Sequence, residues 1–427
     1  MAQDFERFDM SAPPRRTAWY LHPLTIALSL PAVLAHKVQI TKTGVEGLKP
    51  PYVLLCNHNA FQDFKVATKC IWPQRANYVV AIDGFIGREW LLRAVGCICK
   101  RKFTNDVKLV RQLQQTIKNG DVAVIYAEAR YSLCGTTAVL PQSLGKFCRM
   151  LKVPVVSLIC HGHHINSPFW NLHDRGVKPT EAEFSLLFTP EDLATLSVDE
   201  INRRIVERFQ YDDYAWQKER GIRVTYEGRA EGLHKVLYQC PSCGTEFRMA
   251  SKGTELFCEV CGKRWEYTEL GELQAKDGET EFAHIPDWYE WERANVRDEV
   301  ARGVYSSGEL PVTVDTLPNA KKFIRLGRGT LVHDMNGFVC RGTDVDGDPF
   351  EMLKPVESLY SCHIEYDYLG KHGDCVDLNT LTDTWYIYPD VGDGAPLFSV
   401  TKMALATEEL YFALREAQGK PCPPGLA

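Results

Sequence analysis

Residues 52–63 read YVLLCNHNAFQD, and this stretch decides the interpretation of the fold. Its first five residues are apolar or aromatic and directly follow Pro50 and Pro51, a pattern that predicts a short buried strand. Asn57, His58 and Asp63 come directly after that strand, in a polar segment that leads into a helix. In α/β sheets, functional side chains collect where strands end and loops begin. We therefore interpret this stretch as a buried strand that carries a site at its carboxyl end.

The segments around this stretch alternate between strand and helix patterns. Apolar runs predict strands over residues 37–43, 52–56, 77–82, 121–126 and 154–159, and helical spacing predicts helices over residues 108–118 and 144–151. Ser197 and Glu200 form a capping pair that begins a further helical region, residues 197–219. Alternation of this kind favours an α/β fold, with a sheet flanked by helices.

The character of the chain changes after this α/β region. Residues 1–36 are expected to form an N-terminal membrane-associating segment, residues 37–232 the α/β domain, and residues 233–272 a small cysteine-bearing module. Residues 284–427 are expected to form a β-rich α+β domain, because Gly and Asp separate short aromatic and β-branched runs there. Helices over residues 287–302 and 405–417 complete it, and the pattern faintly resembles pleckstrin-homology or GRAM modules.

Composition excludes several classes of protein. The 427 residues carry a net charge of −6 and no basic stripe, which speaks against a zinc-ribbon protein that binds nucleic acid. The 15 cysteines are odd in number and scattered, which favours a reducing compartment over a secreted disulfide framework. Residues 1–18 lack the apolar region of a secretory signal.

Residues 19–35, WYLHPLTIALSLPAVLA, form the one strongly apolar run. A helix that crosses a bilayer needs about 20 apolar residues, and this run is shorter and contains Pro23 and Pro31. Trp19 and Tyr20 suit the water boundary of a membrane. We expect a peripheral or monotopic anchor at the cytoplasmic face of a membrane, and the alternative is a buried helix of a soluble domain.

The cysteine-bearing module contains two C-x2-C knuckles separated by fourteen residues. A two-residue gap lets both thiolates of a knuckle reach one metal ion, and two knuckles complete a tetrahedral site that suits Zn²⁺. A closed four-cysteine site leaves no open position, so it predicts a structural rather than a catalytic ion. The predicted ligands are Cys240, Cys243, Cys258 and Cys261.

His58 and Asp63 form the pattern H-x4-D, which suits general-base chemistry. An imidazole can remove the proton of an attacking hydroxyl, and a carboxylate on its other nitrogen orients it and stabilises the imidazolium. The pattern alone is weak, because His372 and Asp377 repeat it in a predicted surface turn and because a buried structural histidine also fits. Only His58 directly follows a predicted buried strand.

Three further blocks make residues 37–165 resemble the glycerolipid acyltransferase family typified by 1-acyl-sn-glycerol-3-phosphate acyltransferases. The N-H-x4-D block is met by Asn57, His58 and Asp63. The other blocks are similar to the family's G-x-I-F-I-x-R, F-P-E-G-T-R-S and V-P-I-I-P-V, and lie at residues 96–102 (GCICKRK), 126–132 (YAEARYS) and 153–158 (VPVVSL). The third block departs from the pattern, since Ala127 and Ala129 replace Pro and Gly.

The resemblance implies a role for each matching residue. His58 would be the general base and Asp63 its orienting partner. Arg101 or Lys102 would bind the phosphate of the acceptor, Glu128 would lie near the acceptor, and Arg130 would add a second phosphate contact. Arg130 comes one place early, and Tyr131 occupies the usual Arg position. His161, His163 and His164 are interpreted as a polar loop near the pocket rather than as metal ligands.

These features predict an enzyme of phospholipid biosynthesis that resembles 1-acylglycerol-3-phosphate O-acyltransferases. It would transfer a fatty-acyl group from acyl-CoA or acyl-carrier protein to the hydroxyl of a glycerol-phosphate or lysophospholipid acceptor. The expected partners are a membrane surface and these substrates, and no nucleic acid is expected to bind. The alternative is a non-catalytic lipid-binding adaptor, in which the zinc module and the C-terminal domain dock a partner.

Overall fold

Three β-sheets organise the chain in the computed structural model, which describes residues 6–368, 373–392 and 394–420. The first sheet has seven strands in the order β1-β7-β6-β2-β5-β3-β4. The central strand β2 runs parallel to β5 and β6, and β7 alone pairs antiparallel with β6. The strands are β1 (Gln39–Thr43), β2 (Val53–Cys56), β3 (Ala76–Ala81), β4 (Ile98–Lys100), β5 (Val122–Tyr126), β6 (Val155–His161) and β7 (Glu181–Phe188).

Helices cover both faces of this sheet, which confirms the predicted α/β fold. Leu54 packs into one core cluster with Val66 of α2, and Leu55 packs into another with Leu144 of α5. Because β2 is covered on both faces, all of its residues are buried, as in a parallel sheet. The helices are α1 (His22–Ala35), α2 (Asp63–Ile71), α3 (Glu89–Ala94), α4 (Val107–Lys118), α5 (Ser143–Leu151), α6 (His163–Asn166), α7 (Pro190–Thr195), α8 (Val198–Arg208) and α9 (Asp213–Arg220).

The apolar segment at residues 19–35 contains the helix α1, which packs against α2. Pro31 lies inside this helix. Across the described ranges of the chain, none of the helices combines the length and apolar character that a membrane crossing requires.

The cysteine-bearing module is a four-stranded antiparallel sheet in the order β11-β10-β9-β8. It shares a hydrophobic core with the next helix, α10 (Ile285–Ala301), because the rings of Trp265 and Trp288 lie 5.0 Å apart. The module therefore packs onto the C-terminal region instead of standing apart. Its strands are β8 (Met249–Lys252), β9 (Glu255–Cys258), β10 (Arg264–Tyr267) and β11 (Leu273–Ala275).

The third sheet is antiparallel with seven strands in the order β15-β14-β13-β12-β18-β17-β16, which confirms the predicted β-rich character. The last helix, α11 (Val400–Ala417), packs against α10 and β16. The strands are β12 (Leu310–Thr316), β13 (Ile324–Asp334), β14 (Gly337–Asp344), β15 (Pro349–Pro355), β16 (His363–Glu365), β17 (Cys375–Asn379) and β18 (Thr384–Pro389).

This third sheet, called the C-terminal sheet below, lies directly on the α/β sheet. One hydrophobic cluster contains Phe85 and Cys99 from the α/β sheet's β3–β4 side together with Leu317 and Tyr386 from the C-terminal sheet. The two sheets therefore share a core at the side of the molecule where β4 ends.

Candidate active site

The carboxyl ends of β2, β5 and β6 lie side by side, because these three strands are parallel neighbours. Asn57 ties two of these ends together. Its side-chain amide donates to the Cys160 carbonyl at 2.9 Å, and its side-chain oxygen accepts from the Cys160 N–H at 2.9 Å. The segment after β2 therefore has a defined position over the end of the sheet.

His58 and Asp63 are in direct contact at this position. Nδ1 of His58 lies 3.1 Å from Oδ2 of Asp63, and the same oxygen accepts the N–H groups of Asn59 at 2.6 Å and Ala60 at 3.0 Å. Burial opposes the ionisation of Asp63, but hydrogen bonds from His163 and His58 outweigh burial and lower its pKa to about 2. Asp63 is therefore a carboxylate at neutral pH and accepts a hydrogen bond from the Nδ1–H of His58.

The imidazole of His58 lies between two tyrosine rings. The Tyr126 ring is stacked at 4.1 Å from it and the Tyr131 ring lies at 4.2 Å. Both faces are thus covered and Nδ1 is bonded to Asp63, while 21% of the side chain stays exposed. The Nε2 edge is the part of the ring that remains for a substrate hydroxyl, as a general base requires.

Glu128 fixes the backbone at His58. One of its carboxylate oxygens accepts the His58 N–H at 3.0 Å and the other accepts the Ala138 N–H at 2.8 Å. The Tyr211 hydroxyl lies 3.2 Å from both oxygens. Burial raises the pKa of Glu128 to about 8 despite these hydrogen bonds. Glu128 thus holds the backbone of His58, and its place near the acceptor stays a prediction.

The altered third block has a structural consequence. Ala129 has a φ of 57°, in the left-handed region where the family pattern has Gly. This conformation costs an L-residue with a Cβ about 1 kcal/mol or more. The turn at Ala129 brings Tyr131 onto His58, so the residue at the family's usual Arg position covers the imidazole instead of offering a cation.

Arg101 makes four hydrogen bonds to the C-terminal sheet and its loops. Its guanidinium donates to the carbonyls of Leu317, Pro318 and Thr382 at 2.9 to 3.0 Å and to the Thr384 hydroxyl at 2.7 Å. Only 1% of the residue is exposed. A phosphate would have to displace these partners to reach Arg101.

Lys102 also faces the C-terminal sheet. Its ammonium lies 3.0 Å from Nε2 of His363, 3.3 Å from Asp377, and 3.5 Å from Asp83 and Glu365. Burial lowers the pKa of Lys102, but the surrounding carboxylates outweigh burial and raise it well above its ordinary value. The lysine therefore sits among carboxylates that already neutralise it. Asp377 belongs to the second H-x4-D pattern, whose His372 lies outside the described residues.

Arg130 points toward α11. Its Nη2 donates to Glu408 at 2.7 Å, and the same carboxylate accepts Arg293 at 2.8 Å and the Ser361 hydroxyl at 2.7 Å. Arg130 is 5% exposed. The structure thus brings His58, Asp63 and Glu128 together, and it places all three predicted phosphate contacts at the junction with the C-terminal region.

His163 lies near the pocket, as predicted, but its contact with Asp63 was not foreseen from the sequence. It is fully buried in α6 instead of lying in a polar loop, and its Nδ1 lies 2.5 Å from Oδ1 of Asp63. The available signal was the position of the histidines after a predicted strand, because the ends of neighbouring parallel strands meet. The interpretation as a polar loop was wrong because α6 is covered by α9.

The four predicted metal ligands come together in the cysteine-bearing module. All four sulfurs lie within 4.8 Å of one another, with 3.7 Å between Cys240 and Cys261 and 3.8 Å between Cys243 and Cys258. Sulfurs bound to one tetrahedral zinc ion at about 2.3 Å are about 3.8 Å apart, so the donor set fits Zn²⁺. Gly244 and Gly262 follow the knuckles with φ of 74° and 77°, which only glycine adopts without strain.

Comparison with known proteins agrees with the resemblance of the α/β region. Residues 37–161 match the family described as "Acyltransferase", which confirms the predicted resemblance over these residues and supports acyltransferase chemistry in general. A solved structure, the 1-acyl-sn-glycerophosphate (LPA) acyltransferase PlsC from Thermotoga maritima, matches with a TM-score of 0.35 and 16% identity, over 44% of this chain and 76% of that chain. No curated protein matches the chain in sequence.

Proposed function

We propose that this chain transfers a fatty-acyl group from a thioester donor to the hydroxyl of a glycerolipid acceptor. The observation that carries the proposal is the contact of His58 with Asp63 at the end of β2, inside the stretch that matches the acyltransferases. Both faces of the imidazole and its Nδ1 are engaged by protein, and this arrangement directs Nε2 toward a substrate.

In this mechanism the acceptor hydroxyl approaches Nε2 of His58. Its oxygen bonds to the thioester carbonyl carbon while its proton passes to the imidazole. The carbon–sulfur bond then breaks, and the leaving thiolate takes that proton from the imidazolium. Asp63 stabilises the imidazolium between the two proton transfers, as a carboxylate of low pKa can. The donor is acyl-CoA or acyl-carrier protein.

The proposed acceptor is a glycerol phosphate or a lysophospholipid, and Lys102 and Arg130 are its proposed phosphate contacts. Arg101, the alternative to Lys102 in the sequence, is held by four protein acceptors and is proposed to serve the fold. Both cations already pair with carboxylates of the C-terminal region, Lys102 with Asp377 and Arg130 with Glu408. A phosphate would bind Lys102 or Arg130 only by exchanging for Asp377 or Glu408. Competition of this kind predicts weak binding of the phosphate or an accompanying movement of the C-terminal sheet.

A membrane-docking face on α1 fits a lipid substrate. Leu24, Leu28 and Leu34 are 44%, 68% and 65% exposed along one side of the helix, and Trp19 and Tyr20 before it are 77% and 63% exposed. Exposed leucines at helical spacing next to aromatic residues suit an interfacial helix. Since α1 packs against α2, whose first residue is Asp63, docking would bring the His58 site close to the lipid.

Zn²⁺ is proposed for the four-cysteine site in a structural role. Cys240, Cys243, Cys258 and Cys261 would hold the ion, which cross-links the two knuckles of the module. Because the module shares a core with α10, the ion would stabilise the C-terminal region as well.

The test uses the full-length protein with acyl-CoA or acyl-carrier protein and a panel of phosphorylated and unphosphorylated glycerol acceptors. Release of free thiol is followed beside His58→Ala and a matched control, His173→Ala, which replaces an exposed histidine stacked on Tyr226. We expect release that requires an acceptor, that is abolished in His58→Ala and that persists in His173→Ala. Full activity in His58→Ala would refute the mechanism.

A lipid-binding adaptor is the second candidate, favoured by the engagement of Arg101, Lys102 and Arg130 with the C-terminal region. An adaptor would bind vesicles that contain lysophospholipid. It would release no thiol from either donor, whichever acceptor is present. The same panel therefore separates the two functions.

A further inference from the structure

The carboxylate of Asp63 has a histidine on each of its two oxygens. Oδ2 faces His58 at 3.1 Å, and Oδ1 faces His163 at 2.5 Å. Oδ2 also accepts the N–H groups of Asn59 and Ala60. The donors on Oδ2 all come from the chain within five residues of Asp63, whereas the donor on Oδ1 comes from α6, which follows the neighbouring strand β6.

We propose that His163 is a positioning residue for acyl transfer, because its Nδ1–H on Oδ1 fixes the plane of the Asp63 carboxylate and thereby aims Oδ2 at His58. The inference rests on the function proposed above. A carboxylate can rotate about its Cβ–Cγ bond, and hydrogen bonds to both oxygens prevent this rotation. The direction of the contact follows from chemistry, since an ionised carboxylate only accepts hydrogen bonds.

The backbone on both sides of His163 is itself held in place. Asp213, at the start of α9, accepts the N–H of Gly162 at 3.0 Å and the N–H of His164 at 2.9 Å. Gly162 has a φ of 85°, and a Cβ there would lie 2.7 Å from the Trp216 ring. The sharp turn after β6 therefore requires glycine at position 162. This turn places the His163 ring against Asp63.

Other titratable groups surround the three residues. Glu128 accepts the His58 N–H at 3.0 Å, and His363 lies near enough to His58 for the two imidazoles to interact electrostatically. The other titratable groups that face Asp63 belong to thiols and phenols, and burial raises the pKa of each above its ordinary value; they are Cys56, Cys160, Tyr126, Tyr131 and Tyr211. Asp213 faces His163, and burial raises its pKa to about 6. His161 lies 4.0 Å from Asp213.

The test compares His163→Leu with His163→Asn. The side-chain amide of Asn carries its nitrogen at the branch position that Nδ1 occupies in histidine, so it keeps a donor for Oδ1, whereas Leu fills space without one. His164→Leu is the matched control, because it removes a neighbouring buried imidazole whose ring packs against Tyr214. Thiol release gives kcat, KM and the pH profile of each variant.

We expect kcat to fall about 10- to 100-fold in His163→Leu with little change in KM, since a misaligned base loses rate rather than binding. His163→Asn should recover most of this loss. Without its donor on Oδ1 the carboxylate becomes more basic, which holds the proton on His58 more tightly and moves the acid limb of the pH profile to higher pH. His164→Leu should leave that limb unchanged.

A second measurement does not depend on turnover. The titration of His58, followed by NMR on histidine-labelled protein, should move to higher pH in His163→Leu and stay in place in His164→Leu. If Leu and Asn variants behave alike, or if neither the profile nor the titration moves, the positioning role is refuted. Absence of transfer by the wild type would refute the proposed function, and the titration would still decide whether His163 acts on His58 through Asp63. If His163→Leu fails to fold, His163→Gln takes its place, since its amide lies one atom further out.

Discussion

Replacement of Arg101 by Met tests whether this cation serves the substrate or the fold. Arg101 is 1% exposed, and its four hydrogen bonds of 2.7 to 3.0 Å end on three carbonyls and one hydroxyl of the C-terminal sheet and its loops. Met fills much of the same volume but donates nothing, so these acceptors lose their partner inside a buried contact. Each buried acceptor left unpaired costs about 1–3 kcal/mol.

The loss should be smaller than the sum of these costs, because the buried guanidinium also carries a desolvation penalty that Met removes. We expect a net loss of about 3 kcal/mol for Arg101→Met, because several buried acceptors lose their donor at about 1–3 kcal/mol each. Arg203→Met is the control, since Arg203 is 50% exposed and its pairs with Glu200 and Glu207 on the surface of α8 are worth less than about 1 kcal/mol.

Urea-induced unfolding followed by tryptophan fluorescence measures both variants beside the wild type. We expect a clearly lower midpoint for Arg101→Met and an almost unchanged one for Arg203→Met. Arg101→Lys should also be destabilised, because a single ammonium cannot reach four acceptors arranged around a planar fork. An unchanged midpoint together with a raised KM for phosphorylated acceptors would refute this reasoning and establish Arg101 as a phosphate contact.

The structure supports four further predictions. Asp63→Asn should lower kcat less than His58→Ala does, measured by thiol release. The pKa of Asp63 is lowered to about 2, so the stability that its carboxylate contributes is present above pH ~4 and is lost as the pH falls toward 2. This loss amounts to about 2 kcal/mol, and acid unfolding of Asp63→Asn should not show it. Elemental analysis should find one zinc ion per chain, and its removal by a chelator should lower the thermal midpoint; a metal-free protein of unchanged stability would contradict the structural role. The double variant Leu24→Asp and Leu28→Asp should bind anionic phospholipid vesicles more than 10-fold more weakly, because burial of each leucine contributes about 1.5–3 kcal/mol. The control Leu172→Asp changes a leucine that is as exposed as Leu28, at 68%, and should bind as the wild type does. Ala129→Gly should raise the free energy of unfolding by about 1 kcal/mol, since it relieves a φ of 57°, and a lower thermal midpoint would show that this turn is not strained.

Much of the α/β region was predictable because its signals are local. The apolar run at residues 52–56 became the buried strand β2, and the helical spacing at residues 108–118 became α4. His58 and Asp63 were predictable as a pair, because they are only five positions apart. The turn from β2 into α2 brings their side chains close together. The four cysteines met for the same reason, since each knuckle needs only a tight turn at Gly244 or Gly262.

The remaining partners were decided by tertiary structure. Asp63 meets His163 from 100 residues away, and Arg101 meets Thr384 from 283 residues away. No periodicity or spacing in the sequence records such contacts, because they depend on how separate sheets pack against each other. The strand β2, the His58–Asp63 pair beside it and the two cysteine knuckles follow from the sequence, because all of them depend on short-range geometry. The packing of the C-terminal sheet and of α11 against the α/β sheet makes Arg101, Lys102 and Arg130 face protein, because a buried cation pairs with whatever carboxylate or carbonyl the fold brings within reach.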